Sequence, residues 1–575
     1  MESEGSYVKM PLCGMLWRFG VMIAAACCVG FGGVASGALN LTQSIACAVF
    51  IAIIFGTLFF WTFRLAIAFL GLAVLIFSNS LNIARFVESS SLEVIMFLVG
   101  MMIIVGALRD LGFFTWIVQL IVAMPNLTGK KFIAVTAVAS SLLACAVDEV
   151  TSIIFVSTLI FQVCDRLKLD PTPYILIAVL CTNVGSAGTM MGNPVGIYIG
   201  TKAMLSFGDF MCWAFPMMLV ALAVVTALTM FCYRKDLAEF DKRLQARLAQ
   251  GLTLAPTVKV PYKAGLTLLI LTTCAIASHH QLESTFNLSP NSVLLVAPLV
   301  CSGIVMICKP NRARHYVEKE VDWWTLIFFM LLFAIAGTLE FTGVDQVMAK
   351  FFAGIAGTEV TTLVPFIFSV SAVGSAFVDN VIFVAAFCPV IEQLGVSIKD
   401  MPLWWALLFG ACFGGNITMI GSTANIVALG MLEKKSASRM TFFRWFKIGA
   451  LCSIVSGAVV ITGILLLNNL MPDRPPKNFK FSYLSEAAGK VFKNKVVKLE
   501  GWVVLDGKNI VIAAPKGEGK IAAKCAENVN FADVAQYVGK MVEISGIINS
   551  TAKEDGKFVH ELTINTIAEA KEDKH

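Results

Sequence analysis

Two short stretches of this chain place carboxylates inside apolar sequence. Ala146-Val147-Asp148-Glu149-Val150 lies in one apolar stretch, and Phe377-Val378-Asp379-Asn380-Val381 lies in another. An ionised carboxylate at the centre of a bilayer costs roughly 2.5–3.5 kcal/mol on insertion scales, so acids kept there are by default functional. At the break between two helices such an acid can bind sodium, carry a proton, or simply cap its own helix by accepting backbone N–H bonds. For Asp148 and Asp379 a cap alone would not require an acid in both copies. Glu149 reads equally well as a second functional acid or as the partner of a basic group elsewhere.

Each acidic motif is followed by a run of Gly, Asn and Thr within a further apolar segment. The first is Asn183-Val184-Gly185-Ser186-Ala187-Gly188-Thr189-Met190-Met191-Gly192-Asn193-Pro194, and the second is Gly414-Gly415-Asn416-Ile417-Thr418-Met419-Ile420-Gly421-Ser422-Thr423-Ala424-Asn425. Interrupted apolar segments at matching positions of two halves are the best sequence pointer to a transporter's binding site. Asn183, Thr189, Asn193, Asn416, Thr418, Ser422 and Asn425 offer neutral oxygens that suit sodium, and N–H and O–H groups that suit oxyanions. Asp148, Asp379, Asn183 and Asn416 are the candidate sodium ligands. The glycines loosen the backbone and permit close approach. For Gly185, Gly410 and Gly414, close helix packing is the plainer reading.

The elements that must position these residues follow from composition. Of 575 residues 57% are hydrophobic and only 14% are charged, with mean hydropathy +0.80. Soluble domains carry about 25% charge, so this is an all-α polytopic membrane protein. Apolar runs cover about eleven spans: 19–37, 41–62, 65–80, 92–108, 174–200, 210–233, 263–280, 291–308, 323–341, 403–430 and 446–470. Residues 132–165 and 361–395 read instead as pairs of short arms meeting at the acids, too short to cross twice, hence re-entrant hairpins. The first span follows Lys9 and Arg18; it is long enough to stay in the membrane rather than be cleaved as a signal peptide.

Basic residues cluster in alternate loops: Arg64, Arg109, Lys130 with Lys131, Arg166 with Lys168, the loop 234–262, Lys309 to Lys319, and Lys434, Lys435 and Arg439. The positive-inside rule then puts the N-terminus in the cytoplasm and the end of the last span outside the cytoplasmic (inner) membrane. Each repeat has an odd number of spans, so the two are inverted. The expected divisions are an N-terminal span (1–40), a first repeat (41–233), a cytoplasmic linker (234–262), a second repeat (263–471), a linker (472–480) and a soluble tail (481–575).

In that tail β-branched alternation at 496–504, 509–514, 520–525, 541–549 and 560–568, with a helical pattern from Phe531 to Val538, predicts a small all-β domain like an OB-fold barrel. Its balanced charge and few aromatics argue against nucleic acid. On the expected topology it is extracytoplasmic, where a protein partner is possible. The 16 Cys include no Cys-x-x-Cys and only five His are present, so the cysteines read as packing residues and no cofactor is expected beyond coupling sodium and/or protons.

The motifs resemble those of the ion transporter superfamily. Ala144 to Val150, with Thr151 following, resembles its Asp-Asn-Val-Thr hairpin motif, and Ser375 to Val381 matches the second copy nearly residue for residue. The runs through Asn193-Pro194 and through Asn425 resemble its Gly/Asn/Thr segments. The resemblance is closest to the group of arsenite permeases, D-type sodium/proton antiporters, melanosomal P proteins and citrate- or divalent-anion-type transporters, over residues 40–470. It adds Thr151, Asn380, Gly192 and Gly421 to the candidate ion- or substrate-binding residues. It implies two repeats with re-entrant hairpins, a homodimer in membrane lipid, elevator-like movement and no enzymatic activity. Two departures stand out: Glu149 where the family has Asn, and Asn193 where it has Asp.

The expected function is secondary active ion transport. The apolar motifs hold no Arg or Lys for an anion, which favours sodium/proton exchange. Cation-coupled transport of a carboxylate, arsenite or another oxyanion is the alternative. A membrane sensor or an intramembrane enzyme is remote, since no nucleophile with a base and no metal cluster is legible.

Overall fold

The structure is a computed structural model. It describes residues 12–250, 260–289, 291–435, 440–473, 479, 481–484, 492, 494–506, 509–515, 519–527, 529–552 and 558–569. Lys9, Arg439 and Arg474-Pro475-Pro476, used above for topology and the linker, lie outside the described residues.

Among the described residues nine helices are long and apolar enough to cross a membrane, and shorter apolar helices such as Lys263–Ala277 and Ser292–Cys308 accompany them. The order of elements repeats. Leu92–Asp110, Phe113–Val122, a helical hairpin, a broken helix and Phe215–Cys232 are matched by Trp323–Phe341, Val344–Ala356, a hairpin, a broken helix and Phe442–Leu467. Hairpin one is Gly129–Ala146 and Glu149–Leu167; hairpin two is Val360–Phe377 and Asn380–Gly395. Broken helix one is Thr172–Gly185 then Pro194–Lys202, and broken helix two is Met401–Gly414 then Thr423–Lys435.

The hairpin arms are longer than the sequence suggests. They run 18, 19, 18 and 16 residues, and at 1.5 Å per residue 18 residues make about 27 Å, close to the hydrocarbon thickness. The helix of arm one starts ahead of its first apolar residue, because the Thr128 hydroxyl caps the Lys131 N–H. Arm two runs through charged Asp165 and Arg166 to a left-handed Lys168. Arm length therefore does not demand re-entry; the placement of the tips, described below, is what marks the hairpins.

Three helices were not legible as spans. Phe113–Val122 and Val344–Ala356 are short and amphipathic, one before each hairpin. Arg234–Ala249 fills half of the expected linker and buries Leu237, Phe240 and Leu244. It closes the base of hairpin one: Asp241 accepts the Gly129 N–H at 2.6 Å, and Phe240 stacks on Phe132.

The chain divides into two compact units. One comprises residues up to Val347, Ile367–Pro389 and Ala406–Gly463; the other comprises Met348–Phe366, Val390–Trp405 and Ile464 onward. The second unit contains a closed five-stranded barrel. Its strands are β1 (Lys495–Asp506), β2 (Asn509–Ala513), β3 (Lys520–Cys525), β4 (Met541–Ala552) and β5 (Phe558–Glu569), in the order β1-β2-β3-β5-β4. All pairings are antiparallel except β3 with β5. A short helix, Phe531–Ala535, lies between β3 and β4. This is the OB-like barrel that the alternation predicts. Along β1, Val497, Leu499 and Val503 point into the core while Lys498, Glu500 and Trp502 face out.

The barrel core also takes in Val396, from the loop after hairpin two. Lys495, 2% exposed, donates to the Ile398 carbonyl at 3.0 Å and pairs with Asp473 at 3.1 Å. Lys399 donates to the Asn468 carbonyl. In the same loop, burial pushes the Asp400 carboxyl above the ordinary carboxylate range, with Lys495 opposing.

Candidate substrate and ion site

The two acidic motifs form the tips of the hairpins. At Asp148 the backbone is extended, and its Oδ1 accepts the Thr151 N–H at 2.7 Å, capping the arm that begins at Glu149. Asp379 Oδ1 accepts the Val381 N–H at 2.9 Å at the head of the matching arm. The capping role is thus real at both tips, and the carboxylates are held further by the Thr151 hydroxyl at Asp148 and the Thr423 hydroxyl at Asp379. Both acids line one cavity of about 320 Å³, within the size range of small-molecule sites.

Four helix starts converge on this cavity. Its walls include Asp148, Glu149, Val150 and Thr151; Asn193, Pro194 and Val195; Asp379, Asn380 and Val381; and Ser422 and Thr423. Asn193 caps its helix by accepting the Gly196 N–H at 2.6 Å, and Pro194 at the first helical position needs no donor. Ser422 Oγ accepts the Ala424 N–H. Each helix start carries roughly +0.5 of an elementary charge, and such termini attract anions. Five carboxylates line the same space, Asp148, Glu149 and Asp379 at the tips with Glu320 and Asp322, so cations must also be accommodated. The remaining wall is apolar, from Phe97 to Val105 and Phe329, with Arg109, Glu320, Asp322 and Thr325 also lining it. Arg109 is paired to Glu320 at 2.9 Å.

Of the candidate residues, Asp148, Glu149, Thr151, Asn193, Asp379, Asn380 and Ser422 come together here. The others do not line the cavity. Asn183 is the hub of a network between the repeats: its amide donates to Asn416 Oδ1 at 2.8 Å and Asn425 Oδ1 at 2.9 Å, and its Oδ1 accepts from Ser422 at 3.1 Å. Asn416 donates on to the Leu180 carbonyl, and Asn425 to the carbonyls of Gly415 and Thr418. Thr189 donates to the Cys145 carbonyl and Thr418 to that of Ala376, each tethering a broken helix just before a tip. Gly185 and Gly414 sit where a Cβ would lie 2.4 Å from Ser141 Cα and 2.4 Å from the Ala372 carbonyl oxygen, respectively. Gly192 and Gly421 make similarly close approaches to the backbone at Ser186 and Gly415.

One functional candidate escapes the sequence reading. Arg64, counted there among loop cations, is 4% exposed. Its guanidinium lies 3.9 Å from the Trp61 ring centre and 4.9 Å from that of Phe328. Nη2 donates to Thr325 Oγ1 at 3.0 Å, while Nε and Nη1 are buried without a partner. The acids whose charge reaches it are Asp379 and Asp322. Arg64 does not itself line the cavity, but it is a buried cation whose charge reaches Asp379. The usable signal was Trp61, three residues before Arg64, since Arg enters apolar surroundings on aromatic faces.

A family model described as "Citrate transporter" matches residues 50–410, a stretch that holds Arg64, both tips and broken helix one. The chain belongs to the citrate transporter family. Two uncharacterised transporters of Mycobacterium tuberculosis are similar to it. One is 31% identical over 64% of this chain and 84% of its own length, the other 30% over 65% and 85%. The human P protein is 23% identical over 68% of this chain and 56% of its own length. Among solved structures, the YdaH transporter of Alcanivorax borkumensis aligns over 69% of this chain and 88% of that one, with TM-score 0.47 at 15% identity. With its apolar helices this citrate transporter family member is a multi-pass membrane transporter, and relatives named as transporters point away from an enzyme.

Proposed function

We propose that the chain moves a small organic anion bearing carboxylates together with a coupling cation, sodium or a proton, by alternating access. The observation that carries this reading is the convergence of four helix starts and five carboxylates on one cavity. The helix starts suit carboxylate oxygens of a substrate, and the acids suit the cation that accompanies it. The family description points the same way. Sodium/proton exchange remains the second reading, because the tip acids Asp148, Glu149 and Asp379 provide groups for it without any anion. Inverted repeats, an elevator-like movement, a homodimer, a cytoplasmic N-terminus and an extracytoplasmic barrel complete the proposal.

Solid-supported-membrane electrophysiology on proteoliposomes tests it. The expected result is a current that needs both a carboxylate (citrate or succinate) and a sodium or proton gradient. Exchange of sodium for protons with no anion present would replace it by the second reading, and a response to arsenite alone would change the substrate class. Labelling of Glu500→Cys, exposed on β1, by an impermeant maleimide in intact cells checks the side of the barrel.

A further inference from the structure

We propose that Arg109 is the residue that selects the substrate: its guanidinium leaves Glu320 to take a carboxylate of the incoming anion. This rests on the anion-transport reading above and names the group in the cavity wall that favours an anion over a neutral solute or a cation.

Among the described residues lining the cavity, Arg109 is the one cation, set against the carboxylates of Asp148, Glu149, Glu320, Asp322 and Asp379. Those carboxylates repel an anion, and each helix start offsets them with only a partial charge. A full positive charge in the wall therefore weighs heavily in whether an anion is held. The position is built. Arg109 lies in the last turn of Leu92–Asp110. Gly106, three residues earlier on the same face, makes room for Glu320: a Cβ there would lie 2.6 Å from Glu320 Cγ. Glu320 Oε2 then lies 2.9 Å from Arg109 Nη1. The guanidinium carbon is also 5.8 Å from the Phe155 ring centre, on the arm that Asp148 caps, and its charge reaches Asp148. An anion taken by Arg109 is thus held on the tip-one side of the cavity.

The plainer role for this pair, fastening the helix Leu92–Asp110 to residues 312–320, is already filled by its neighbours. Arg312 grips Asp110 through Nε at 2.9 Å and Nη2 at 2.8 Å, and the Tyr316 hydroxyl adds a third bond to Asp110 at 2.9 Å. Arg109 and Glu320 join the same two segments and are not needed to hold them. The Arg109 side chain is 45% exposed, against 13% for Glu320. An ion pair with so exposed a partner is weak, and a hydrated guanidinium can turn to a ligand without first being stripped of water. Its planar fork then matches a carboxylate with two parallel bonds. Glu320 is the competitor that the anion displaces.

The test is binding of radiolabelled citrate to the purified full-length protein at fixed sodium concentration and pH, with thermal unfolding as the check on folding. Arg109→Gln should weaken citrate by about 10- to 100-fold. Arg109→Lys, which keeps the charge without the fork, should fall between that variant and the wild type. Glu320→Gln should act in the opposite sense: with the competitor gone, citrate binds up to about fivefold more tightly. In the double variant, Arg109→Gln with Glu320→Gln, that gain should disappear, which separates release of Arg109 from a general loss of negative charge. Weaker citrate binding in Glu320→Gln would show the pair to be a structural clamp and overturn the proposal. Wild-type affinity in Arg109→Gln, or an undiminished gain on adding Glu320→Gln to it, would do the same. Should Arg109→Gln unfold, Arg109→Lys and Glu320→Gln carry the same two opposite signs. A wild type that binds no carboxylate at all would instead remove the anion reading beneath it.

Discussion

Hairpins one and two share a scaffold and differ at the residue after the tip. Both tips are Asp caps, both precede a broken helix, and both are tethered to it by a threonine, Thr189 to Cys145 and Thr418 to Ala376. Ser141 donates to the Cys181 carbonyl and Ser375 to that of Ala411, each at 2.7 Å. The next residue is Glu149 in one copy and Asn380 in the other. Their bases differ as well: the helix Arg234–Ala249 closes hairpin one, while the loop after hairpin two is packed into the barrel. What is duplicated is what the fold needs to hold a tip in place. What is not duplicated is free of that demand, and the charge asymmetry falls there.

The strongest way to break the comparison is to remove one acid at a time. Asp148→Asn and Asp379→Asn should each lower transport by about a hundredfold or more, the scale expected when a buried charge contact is truncated. Asn caps a helix about as well as Asp, so both variants should fold, as circular dichroism and thermal unfolding would show. Full activity of either one in proteoliposomes removes that tip from the mechanism.

The shared scaffold is tested next. Gly185→Ala and Gly414→Ala drive a methyl into Ser141 and into the Ala372 carbonyl, and each should cost about 1–3 kcal/mol of stability. Similar losses in thermal melts support a common plan; loss in one copy alone would show that the two broken helices pack differently. Thr189→Val and Thr418→Val leave a carbonyl without its donor and should cost about 1 kcal/mol each. Their effect on transport should be a few-fold, read as a slower turnover rather than weaker citrate binding.

Much of this plan is legible in the sequence, for definable reasons. An acid inside apolar sequence cannot be overlooked, and Gly-Asn-Pro or Gly-Ser-Thr breaks a helix wherever it falls. The tail strands follow from alternation, and β3 is found at the residues expected, 520–525. Arg64 was not legible, because a loop-charge count treats every Arg alike and burial of one depends on Trp61, Phe328 and Thr325 coming together in space. For Asn183, Asn416 and Asn425, sequence shows oxygens fit for a cation, and only tertiary contact shows that they also bind one another. The helix Arg234–Ala249 hides in a charged run, since three apolar positions spaced for one face are outnumbered by its Lys, Arg and acids.

The smallest expected effect concerns the barrel junction, where hairpin two departs from hairpin one. Asp400 opens the helix Met401–Gly414, and its Oδ2 accepts the Trp404 indole N–H at 3.2 Å. Its Oδ1 is buried without a partner. Burial raises its pKa above the ordinary value, so the folded state favours the protonated acid. The sign follows from linkage: stability is fully present below the ordinary carboxylate range, near pH 4, and is lost as pH rises through the raised folded value. Asp400→Asn keeps the acceptor for Trp404 and removes the charge. It should therefore stabilise this unit at neutral pH by less than about 1 kcal/mol, with the advantage shrinking as pH falls toward 4. Transport should hardly change, because the residue belongs to the loop and not to the cavity. Thermal unfolding of wild type and variant across pH reads the difference directly, and a gain that grows on acidification would show that Asp400 stabilises the junction as an anion, bound by Lys495.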